Sequence, residues 1–376
     1  MEWFTDGDLA KAKDFLNVRG KKILFYHRDC DGVCSAALWL RFFDDFEARP
    51  REGPVMDSGF VKWVADKDPE LLVFLDLPVD QEWKKIRKLL DSMPDAKIII
   101  IDHHIVEKDM NSARVLHINP KLKEDSYLPA AFLVYKIMEK FGEIKEGPAG
   151  VCRLPSCSQG DVKWIAAMGI VGDYGFEDCG DFLGSVKTKN LDRGAELISA
   201  AITLKGLKGA DSVLKILLAS DNYKEFIRTK TLSAWKRLVD GEFRRVVKEF
   251  KDKAERHEDA GLVIYAIESR LNLTSVIATC LSEKMPEKIV LIAKKSGDGW
   301  KLSARNQSGR VNLGGLFKRC VKGIGSGGGH KKAAGAIVRD FEKFKKRFIA
   351  ELMAQASGQR MRGPFRKGPA EPFPEC

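Results

Sequence analysis

Long apolar runs are missing from this sequence of 376 residues. No uninterrupted apolar stretch approaches the roughly 18 residues that a membrane-spanning helix needs, so a membrane protein is not expected. The N-terminal segment, residues 1–6, has neither the basic start nor the apolar core of a secretory signal peptide. We therefore expect a cytoplasmic protein without membrane contact.

Cysteine is scarce and irregularly spaced. The sequence has 8 cysteines, and their positions do not suggest a disulfide framework. In a reducing cytosol such residues are expected to be buried thiols. Cys152 and Cys157 would supply half of a zinc site, but a second spaced pair is missing, so zinc is not favoured.

Acidic residues are outnumbered by basic ones. The sequence has 64 Lys and Arg against 53 Asp and Glu, which gives a formal net charge of +11. This excess favours a polyanionic partner such as nucleic acid. A surface of solvated ion pairs, as in thermophile proteins, is the alternative that composition leaves open.

Three short apolar runs end directly in polar residues. Such uninterrupted runs are typical of parallel strands that are covered on both faces. They are residues 98–101 before Asp102, His103 and His104; residues 21–26 before His27, Asp29 and Asp31; and residues 71–75 before Asp76. In open α/β sheets the ligand binds outside the carboxyl ends of the strands, so we expect these polar groups to meet at one edge.

Predicted strands alternate with helices, which indicates an α/β fold. We expect a doubly wound parallel sheet in residues 1–185, a helical connector in residues 186–258 and a smaller α/β domain in residues 259–356. Residues 357–376 are rich in proline, glycine and basic residues and predict a disordered basic tail. A short strand is also expected near residues 54–56.

A glycine-rich run occupies residues 325–329, directly before His330. Consecutive glycines expose backbone N–H groups to an anion, and His330 and Arg305 would add charge or hydrogen bonds. Glycine runs are also typical of flexible loops, so both interpretations stay open.

The histidines and carboxylates concentrate in these same segments. Of only 6 histidines, four lie there: His27, His103, His104 and His330. Five aspartates fall at or near the ends of predicted strands or helices: Asp29, Asp31, Asp76, Asp102 and Asp173. This set of ligands suits a pair of divalent cations such as manganese better than zinc. It predicts a two-metal phosphoesterase.

Simpler structural alternatives exist for individual segments. Asp29 and Asp31 would also suit an Asp-rich turn with a helix N-cap. Asp173, which lies near glycines at a predicted helix end, would also suit an exposed helix stop.

The motifs together resemble the DHH phosphoesterase superfamily. Its four N-terminal motifs match His-Arg-Asp-Cys-Asp-Gly at residues 27–32, Asp76, Asp102-His103-His104 and Asp173. The second half resembles the DHH-associated C-terminal domain, with a GGGH motif at residues 327–330 and Arg305 as the upstream arginine. The resemblance covers most of residues 21–340 and is strongest for the RecJ-like exonuclease and oligoribonuclease branch. The GGGH motif argues against the pyrophosphatases, which have a different C-terminal domain.

The resemblance implies two bound Mn²⁺ ions, with Mg²⁺ as the alternative. One ion would be held by Asp29 and Asp76, with His27 as a candidate third ligand. The second would be held by Asp31, Asp76, His103 and Asp173, so Asp76 would bridge. Asp102 and His104 would join Asp76 in catalysis, as a supporting group and a phosphate contact. The implied substrate-binding residues are His104, Arg305, Gly328, Gly329 and His330.

Three functions follow from this resemblance. The first is a RecJ-like exonuclease that hydrolyses single-stranded DNA or RNA from an end, which the basic net charge favours. The second is a small-substrate phosphoesterase acting on short oligonucleotides, pAp or a cyclic dinucleotide. The third is an inactive replication scaffold, because inactive relatives serve helicase complexes. Replication or repair proteins are expected as further partners.

Overall fold

The computed structural model describes residues 3–142 and 162–360. The chain divides into two compact units, Met1–Lys236 and Arg237–Cys376, which are treated separately below. The predicted boundaries after residues 185, 258 and 356 stay predictions. Cys152, Cys157 and the predicted tail from residue 361 onward lie outside the described residues.

The N-terminal unit is built on a parallel sheet. Its strands are β1 (Lys22–His27), β2 (Phe46–Arg51), β3 (Leu71–Leu75), β4 (Lys97–Ile101) and β5 (Val115–Ile118). They pair in the order β2-β1-β3-β4-β5, and every pairing is parallel. All five residues of β3 are buried, as expected for a strand with helices on both faces.

Helices cover both faces of this sheet. They are α1 (Asp6–Leu16), α2 (Cys30–Phe42), α3 (Ser58–Lys67), α4 (Trp83–Ser92), α5 (Ala130–Gly142) and α6 (Lys163–Gly172). Alternate residues of β1 point to opposite faces: Leu24 joins the apolar cluster that includes α2, α5 and α6. Phe25 joins the cluster that includes α3 and α4. The predicted doubly wound parallel sheet is thereby confirmed.

Further helices follow along the chain. They are α7 (Gly180–Gly184), α8 (Leu191–Lys205), α9 (Leu207–Ala219), α10 (Tyr223–Ile227) and α11 (Lys230–Lys253). Leu197 and Leu214 are buried in the same apolar cluster as Leu24 of β1. None of the helices in the described ranges is long and apolar enough to cross a membrane.

The C-terminal unit is a smaller α/β domain, as predicted. Its elements are β6 (Glu255–His257), β7 (Leu262–Ile267), α12 (Thr274–Lys284), β8 (Ile289–Ser296), β9 (Gly299–Asn306), α13 (Leu313–Cys320), β10 (Gly325–Gly329), β11 (Ala333–Val338) and α14 (Phe341–Arg360). The strand order is β10-β11-β9-β8-β7-β6. Only β7 and β8 pair in parallel within this described sheet, and α12 connects them.

Two local expectations differ from the structure. Residues 54–56, where a short strand was expected, do not form one; the strand in this region is β2, which ends a few residues earlier in the chain. β2 contains Pro50, which cannot donate a hydrogen bond and is tolerated because β2 lies at the edge of the sheet. The glycine run is strand β10 and not a loop. A Cβ at Gly325 would lie 2.1 Å from the carbonyl oxygen of Ile337 in β11, so close strand packing requires glycine there.

Candidate metal centre

The polar ends of β1, β3 and β4 meet at one edge of the parallel sheet. His27 ends β1, Asp76 follows β3, and Asp102 follows β4. The parallel register sets Leu75 beside both Tyr26 and Ile101, so the three chain segments leave the sheet side by side. The predicted convergence of strand ends is therefore present in the fold.

The first motif forms a tight turn into α2. The Asp29 side chain caps this helix by accepting a hydrogen bond from the Gly32 amide at 3.0 Å. A Cβ on Gly32 would lie 2.2 Å from the carbonyl oxygen of His27, so the turn needs glycine. Asp29 is thus both an N-cap and a metal-ligand candidate, which reconciles the two interpretations of this segment.

Asp31 lies in the first turn of α2 and is only 1% exposed. Its carboxylate accepts hydrogen bonds from the Ala130 amide at 2.6 Å and the Ala131 amide at 2.8 Å. These amides begin α5, so Asp31 satisfies N–H groups that have no partner within the helix. The contact holds α5 against the candidate centre.

Asp76 lies at the centre of the cluster. Its backbone is left-handed, with φ +57°, a conformation that aspartate adopts more readily than most residues. One carboxylate oxygen, Oδ1, lies 3.3 Å from His103 Nε2. The other, Oδ2, lies 3.4 Å from His27 Nδ1. The two oxygens of one carboxylate therefore face different imidazoles.

Three groups of potential ligand atoms surround Asp76, and the atoms within each group lie within 4.8 Å of one another. The groups are His27, Asp29 and Asp76; Asp76, His103 and His104; and Asp31, His103 and Asp173. The fold thus brings together every metal ligand that the sequence predicts. Their coordination of metal stays a prediction.

Asp173 reaches the cluster from the end of α6. Two glycines let this helix approach α2 and α5 closely: a Cβ on Gly172 would lie 2.5 Å from Cys30 Sγ, and one on Gly169 would lie 2.5 Å from Ala131 Cβ. Asp173 Oδ2 then lies 3.5 Å from His103 Nε2. Asp173 is therefore part of the cluster and not an isolated helix stop.

Two residues near the site were not predicted. Tyr127 donates its hydroxyl to Asp173 Oδ2 at 2.6 Å, and its ring packs edge-on against His103 at 5.1 Å. Asn119 donates to the carbonyl oxygen of His104 at 3.0 Å. Neither belongs to a motif, and nothing in the sequence pattern separates them from ordinary loop residues.

Asp102 contacts His104 at the edge of the cluster. Asp102 is 1% exposed, and its Oδ1 lies 2.8 Å from His104 Nδ1. This contact fixes the ring orientation of the half-exposed His104. The supporting role of Asp102 stays a prediction.

Burial makes the clustered carboxylates difficult to ionise. Burial and the nearby Asp76 charge raise the pKa of Asp29 and of Asp31. Burial also raises the pKa of Asp173, although His103 opposes it. Burial would raise the pKa of Asp76 too, but the imidazoles of His103 and His27 hold it well below its usual range.

The imidazoles show the opposite effect. Burial alone would lower the pKa of His27, but Asp29 and Asp76 raise it to about 11. Burial alone would also lower the pKa of His104, but Asp102 raises it to about 9. Despite burial, Asp76 raises the pKa of His103. The imidazoles and the Asp76 carboxylate thus stabilise each other's charged forms.

The residues present fit a pair of divalent cations. Asp76 Oδ2 is buried, and within the part of the chain that the structure describes it has an ion pair with His27 Nδ1 at 3.4 Å but no hydrogen bond. Such an atom is costly unless a cation or a proton donor meets it. Carboxylate oxygens mixed with imidazole nitrogens suit manganese, and magnesium accepts the oxygens.

Two of the predicted substrate-binding residues of the C-terminal unit line a cavity of about 300 Å³. Arg305 and Gly329 line it together with Thr274 and Ser275 at the start of α12. The Arg305 guanidinium donates to Ser275 Oγ at 2.7 Å and to Thr279 Oγ1 at 3.2 Å.

Gly328 and His330 are not among the described residues that line this cavity. His330 is exposed. Its backbone N–H donates to the carbonyl oxygen of Ala333 at 2.8 Å.

Comparison with known families agrees with this architecture. The DHH family N-terminal domain matches residues 21–153, and the DHHA1 domain matches residues 261–357. The chain belongs to the DHH superfamily, whose enzymes are metal-dependent phosphoesterases. No curated protein sequence matches the chain.

Solved structures share the fold at low sequence identity. RecJ from Thermus thermophilus in complex with Mn²⁺ is 16% identical with a TM-score of 0.67, over 95% of this chain and 55% of that one. An exonuclease RecJ bound to manganese is 16% identical with a TM-score of 0.64, over 93% and 94%. The pGpG-specific phosphodiesterase PggH from Vibrio is 14% identical with a TM-score of 0.50, over 89% and 99%. The chain thus spans about half of the Thermus RecJ.

Proposed function

We propose that this chain is a two-metal phosphodiesterase that hydrolyses single-stranded DNA or RNA from an end. The observation that carries the proposal is the position of Asp76. Its Oδ2 faces His27, while its Oδ1 faces His103. A carboxylate placed in this way is suited to bridge two cations.

The chain's own residues would divide the work as follows. His27, Asp29 and Asp76 would hold one cation. Asp31, Asp76, His103 and Asp173 would hold the other. When bound, the two cations would activate water and offset the negative charge of the phosphate. Manganese is the proposed ion because imidazole suits it better than magnesium.

His104 is the proposed phosphate contact. Asp102 occupies the Nδ1 side of its ring at 2.8 Å, and this contact raises the pKa of His104, against burial, to about 9. The Asp102 contact favours the doubly protonated ring, in which Nε2–H is left to donate to a phosphate oxygen. Asp102 acts through His104 by fixing its orientation.

Arg305 is the proposed substrate contact in the C-terminal unit. Its guanidinium lines the cavity and donates to the hydroxyls of Ser275, Thr279 and Ser303 and to the Ala304 carbonyl oxygen. A phosphate oxygen would replace one of these acceptors and form a charge-assisted hydrogen bond. Gly329 lines the same cavity. The net charge of +11 agrees with a polyanionic substrate.

A small-substrate phosphoesterase is the second candidate. The likeness to a pGpG-specific phosphodiesterase over 99% of that chain favours it. The complete set of candidate ligands favours either enzyme over an inactive scaffold. Replication or repair proteins stay a predicted class of partner.

Substrate length and salt separate the two enzymes. End-labelled DNA and RNA strands of two and twenty residues would be digested with manganese and, in parallel, with magnesium. Binding to the inactive Asp76→Asn variant would be measured at two salt concentrations. A long-strand enzyme contacts several phosphates, so log affinity should fall with log salt by roughly 0.7 per phosphate neutralised.

Two outcomes would overturn the leading proposal. Equal affinity for both lengths with a shallow salt slope would favour the small-substrate enzyme. Absence of hydrolysis for every strand with either metal would remove both enzymatic functions. Equal rates with manganese and magnesium over a concentration series would count against His103 as a ligand.

A further inference from the structure

Exposed aromatic side chains are concentrated at one place. Among the described Phe, Tyr and Trp residues, only three are classed as exposed: Tyr127 at 41%, Tyr174 at 79% and Phe176 at 50%. Tyr174 and Phe176 belong to the segment that follows Asp173, and Tyr127 is hydrogen-bonded to Asp173 itself. Every other described aromatic ring is buried or half-buried. The exposed rings thus cluster at one candidate metal ligand.

The backbone holds the ring of Tyr174 outward. Tyr174 has a left-handed backbone, with φ +57°, which is unusual for a bulky residue and points to a functional constraint. The next residue, Gly175, is buried, and its amide donates to the Ile170 carbonyl oxygen at 2.9 Å. A Cβ there would lie 2.5 Å from Pro129 Cγ. This fixed glycine leaves the rings on either side of it at the surface.

Tyr174 and Phe176 form an edge-to-face pair. Their ring centroids are 6.3 Å apart and their planes make an angle of 71°, a favourable arrangement for two aromatic rings. The pair presents ring surface to solvent in the segment that directly follows Asp173 in the chain.

Tyr127 links this segment to the metal-ligand candidates. Its hydroxyl binds Asp173 Oδ2, and its ring packs against His103. Lys121 Nζ lies 5.5 Å from the ring centre and donates to the His103 carbonyl oxygen at 2.8 Å. The segment that carries Tyr174 and Phe176 therefore begins at a residue that Tyr127 joins to the candidate ligand cluster.

The chemistry of the segment selects a flat aromatic ligand. Glu177 and Asp178 follow the pair directly, and this negative charge would repel a phosphate. Ring faces instead stack well on nucleobases, because every base has a π-face. The occupant that fits is the base of a nucleotide and not its phosphate.

We propose that Tyr174 and Phe176 form a stacking surface for the nucleobase beside the scissile phosphate. The inference rests on the proposed function and narrows it. The substrate must carry bases, and binding should tolerate any base sequence.

Abasic strands test the proposal. Two six-residue DNA strands would be compared, one complete and one without the two bases at each end. Initial rates would be measured with the manganese-loaded full chain, and dissociation constants in chelator. The variants are Tyr174→Ala, Phe176→Ala, the double variant and Tyr174→Trp, which keeps a stacking ring. Leu218→Ala is the matched control, since it removes another exposed apolar side chain of the same unit, one that is 38% exposed.

The wild type should bind the complete strand about 10-fold more tightly than the abasic one, which corresponds to about 1.4 kcal/mol. The double variant should lose most of this preference, whereas Tyr174→Trp and Leu218→Ala should keep it. The inference is overturned if the double variant keeps the preference, or if Leu218→Ala loses as much. It is also overturned if the double variant changes only the molecular mass in light scattering, because the pair would then contact protein.

The proposed function and this inference can fail separately. If the metal-loaded wild type hydrolyses neither strand, the enzymatic proposal is wrong, while the dissociation constants still decide the stacking surface. If the wild type hydrolyses both strands equally well and binds them equally, only the stacking surface is wrong.

Discussion

The two units place their candidate functional atoms in different ways. The parallel sheet of the N-terminal unit collects buried carboxylates at one edge, where Asp31, Asp76 and Asp102 are each 1% exposed. The mixed sheet of the C-terminal unit instead offers a half-buried arginine, Arg305, held by hydroxyl groups. Buried carboxylates that lie close together are electrostatically costly without a cation. The arginine of the C-terminal unit does not depend on a cation. We therefore expect changes in the first unit to alter turnover and metal binding, and changes in the second to alter substrate affinity.

Asp76→Asn should have the largest effect. It removes the charge that faces both His27 and His103 but tolerates the left-handed backbone that Asp76 adopts. Hydrolysis should fall on the order of 1000-fold or more, because the two cation sites share this carboxylate. The measurement is kcat in manganese, with calorimetry for metal binding.

Asp68→Asn is the matched control for this variant. Asp68 also has a left-handed backbone, with φ +46°, and it ends α3 away from the ligand groups. Its substitution should leave turnover unchanged. Turnover near the wild-type value in Asp76→Asn would contradict the bridging role.

Arg305→Ala should have the next largest effect, and it should act on affinity. A hydrogen bond to a charged group contributes about 1.5–3 kcal/mol, so KM should rise roughly 10- to 100-fold with little change in kcat. Arg310→Ala removes an exposed arginine of the same unit, ion-paired to Glu287 at 2.8 Å, and should change KM much less. A fall in kcat with an unchanged KM would reverse the expected division between the units.

Metal affinity should fall as the pH is lowered. Although burial opposes the change, Asp29 and Asp76 raise the pKa of His27 to about 11, and Asp76 raises the pKa of His103. The His27 ring therefore holds a proton in the metal-free protein at neutral pH, and Asp76 favours a proton on His103 as well. A cation must displace these protons, so affinity should change about tenfold per pH unit for each proton released.

Calorimetry in two buffers of different ionisation heat would count the protons. His330→Gln, in the C-terminal unit, should leave the count unchanged. A count of zero in the wild type would show that no protonated imidazole is a ligand.

A pair of glycine variants should give the smallest effect and the sharpest test of the C-terminal unit. A Cβ on Gly327 would lie 2.5 Å from Ala336 Cβ, whereas one on Gly328 would meet only the flexible Lys318 side chain, at 3.3 Å. Gly327→Ala should destabilise the protein by about 1–3 kcal/mol. Gly328→Ala should stay within about 0.5 kcal/mol of the wild type.

Urea unfolding and substrate binding would be measured for both variants. Lost affinity in a fully stable Gly328→Ala protein would support the predicted substrate contact. Wild-type stability in Gly327→Ala would contradict the packing explanation of the glycine run.

The sequence predicted the N-terminal sheet well because apolar runs end abruptly in charged residues there. The isoleucines of β4 and the apolar residues of β3 form uninterrupted apolar runs, and such runs predict buried parallel strands. Once strand ends meet at one edge, the proximity of Asp29, Asp76 and His103 follows from topology. The convergence of candidate ligands was therefore predictable without side-chain detail.

Contacts between distant segments were not predictable. Asp31 binds amides 99 and 100 residues further along the chain, and no local pattern pairs them. The same holds for Tyr127 and Asp173. β10 was missed because a glycine run has no alternation of apolar and polar side chains, so its strand character depends on the neighbouring strand alone.

Asp31 also constrains how this chain can evolve. Besides its place among the candidate ligands, its carboxylate satisfies the first two amides of α5, and an unpaired buried amide costs about 1–3 kcal/mol. Asp29 contributes less to the structure, because it caps only the start of its own helix. A descendant that abandons catalysis would therefore keep Asp31 long after losing Asp29. In such a lineage, a retained Asp31 would reflect its structural role and not a remaining catalytic activity.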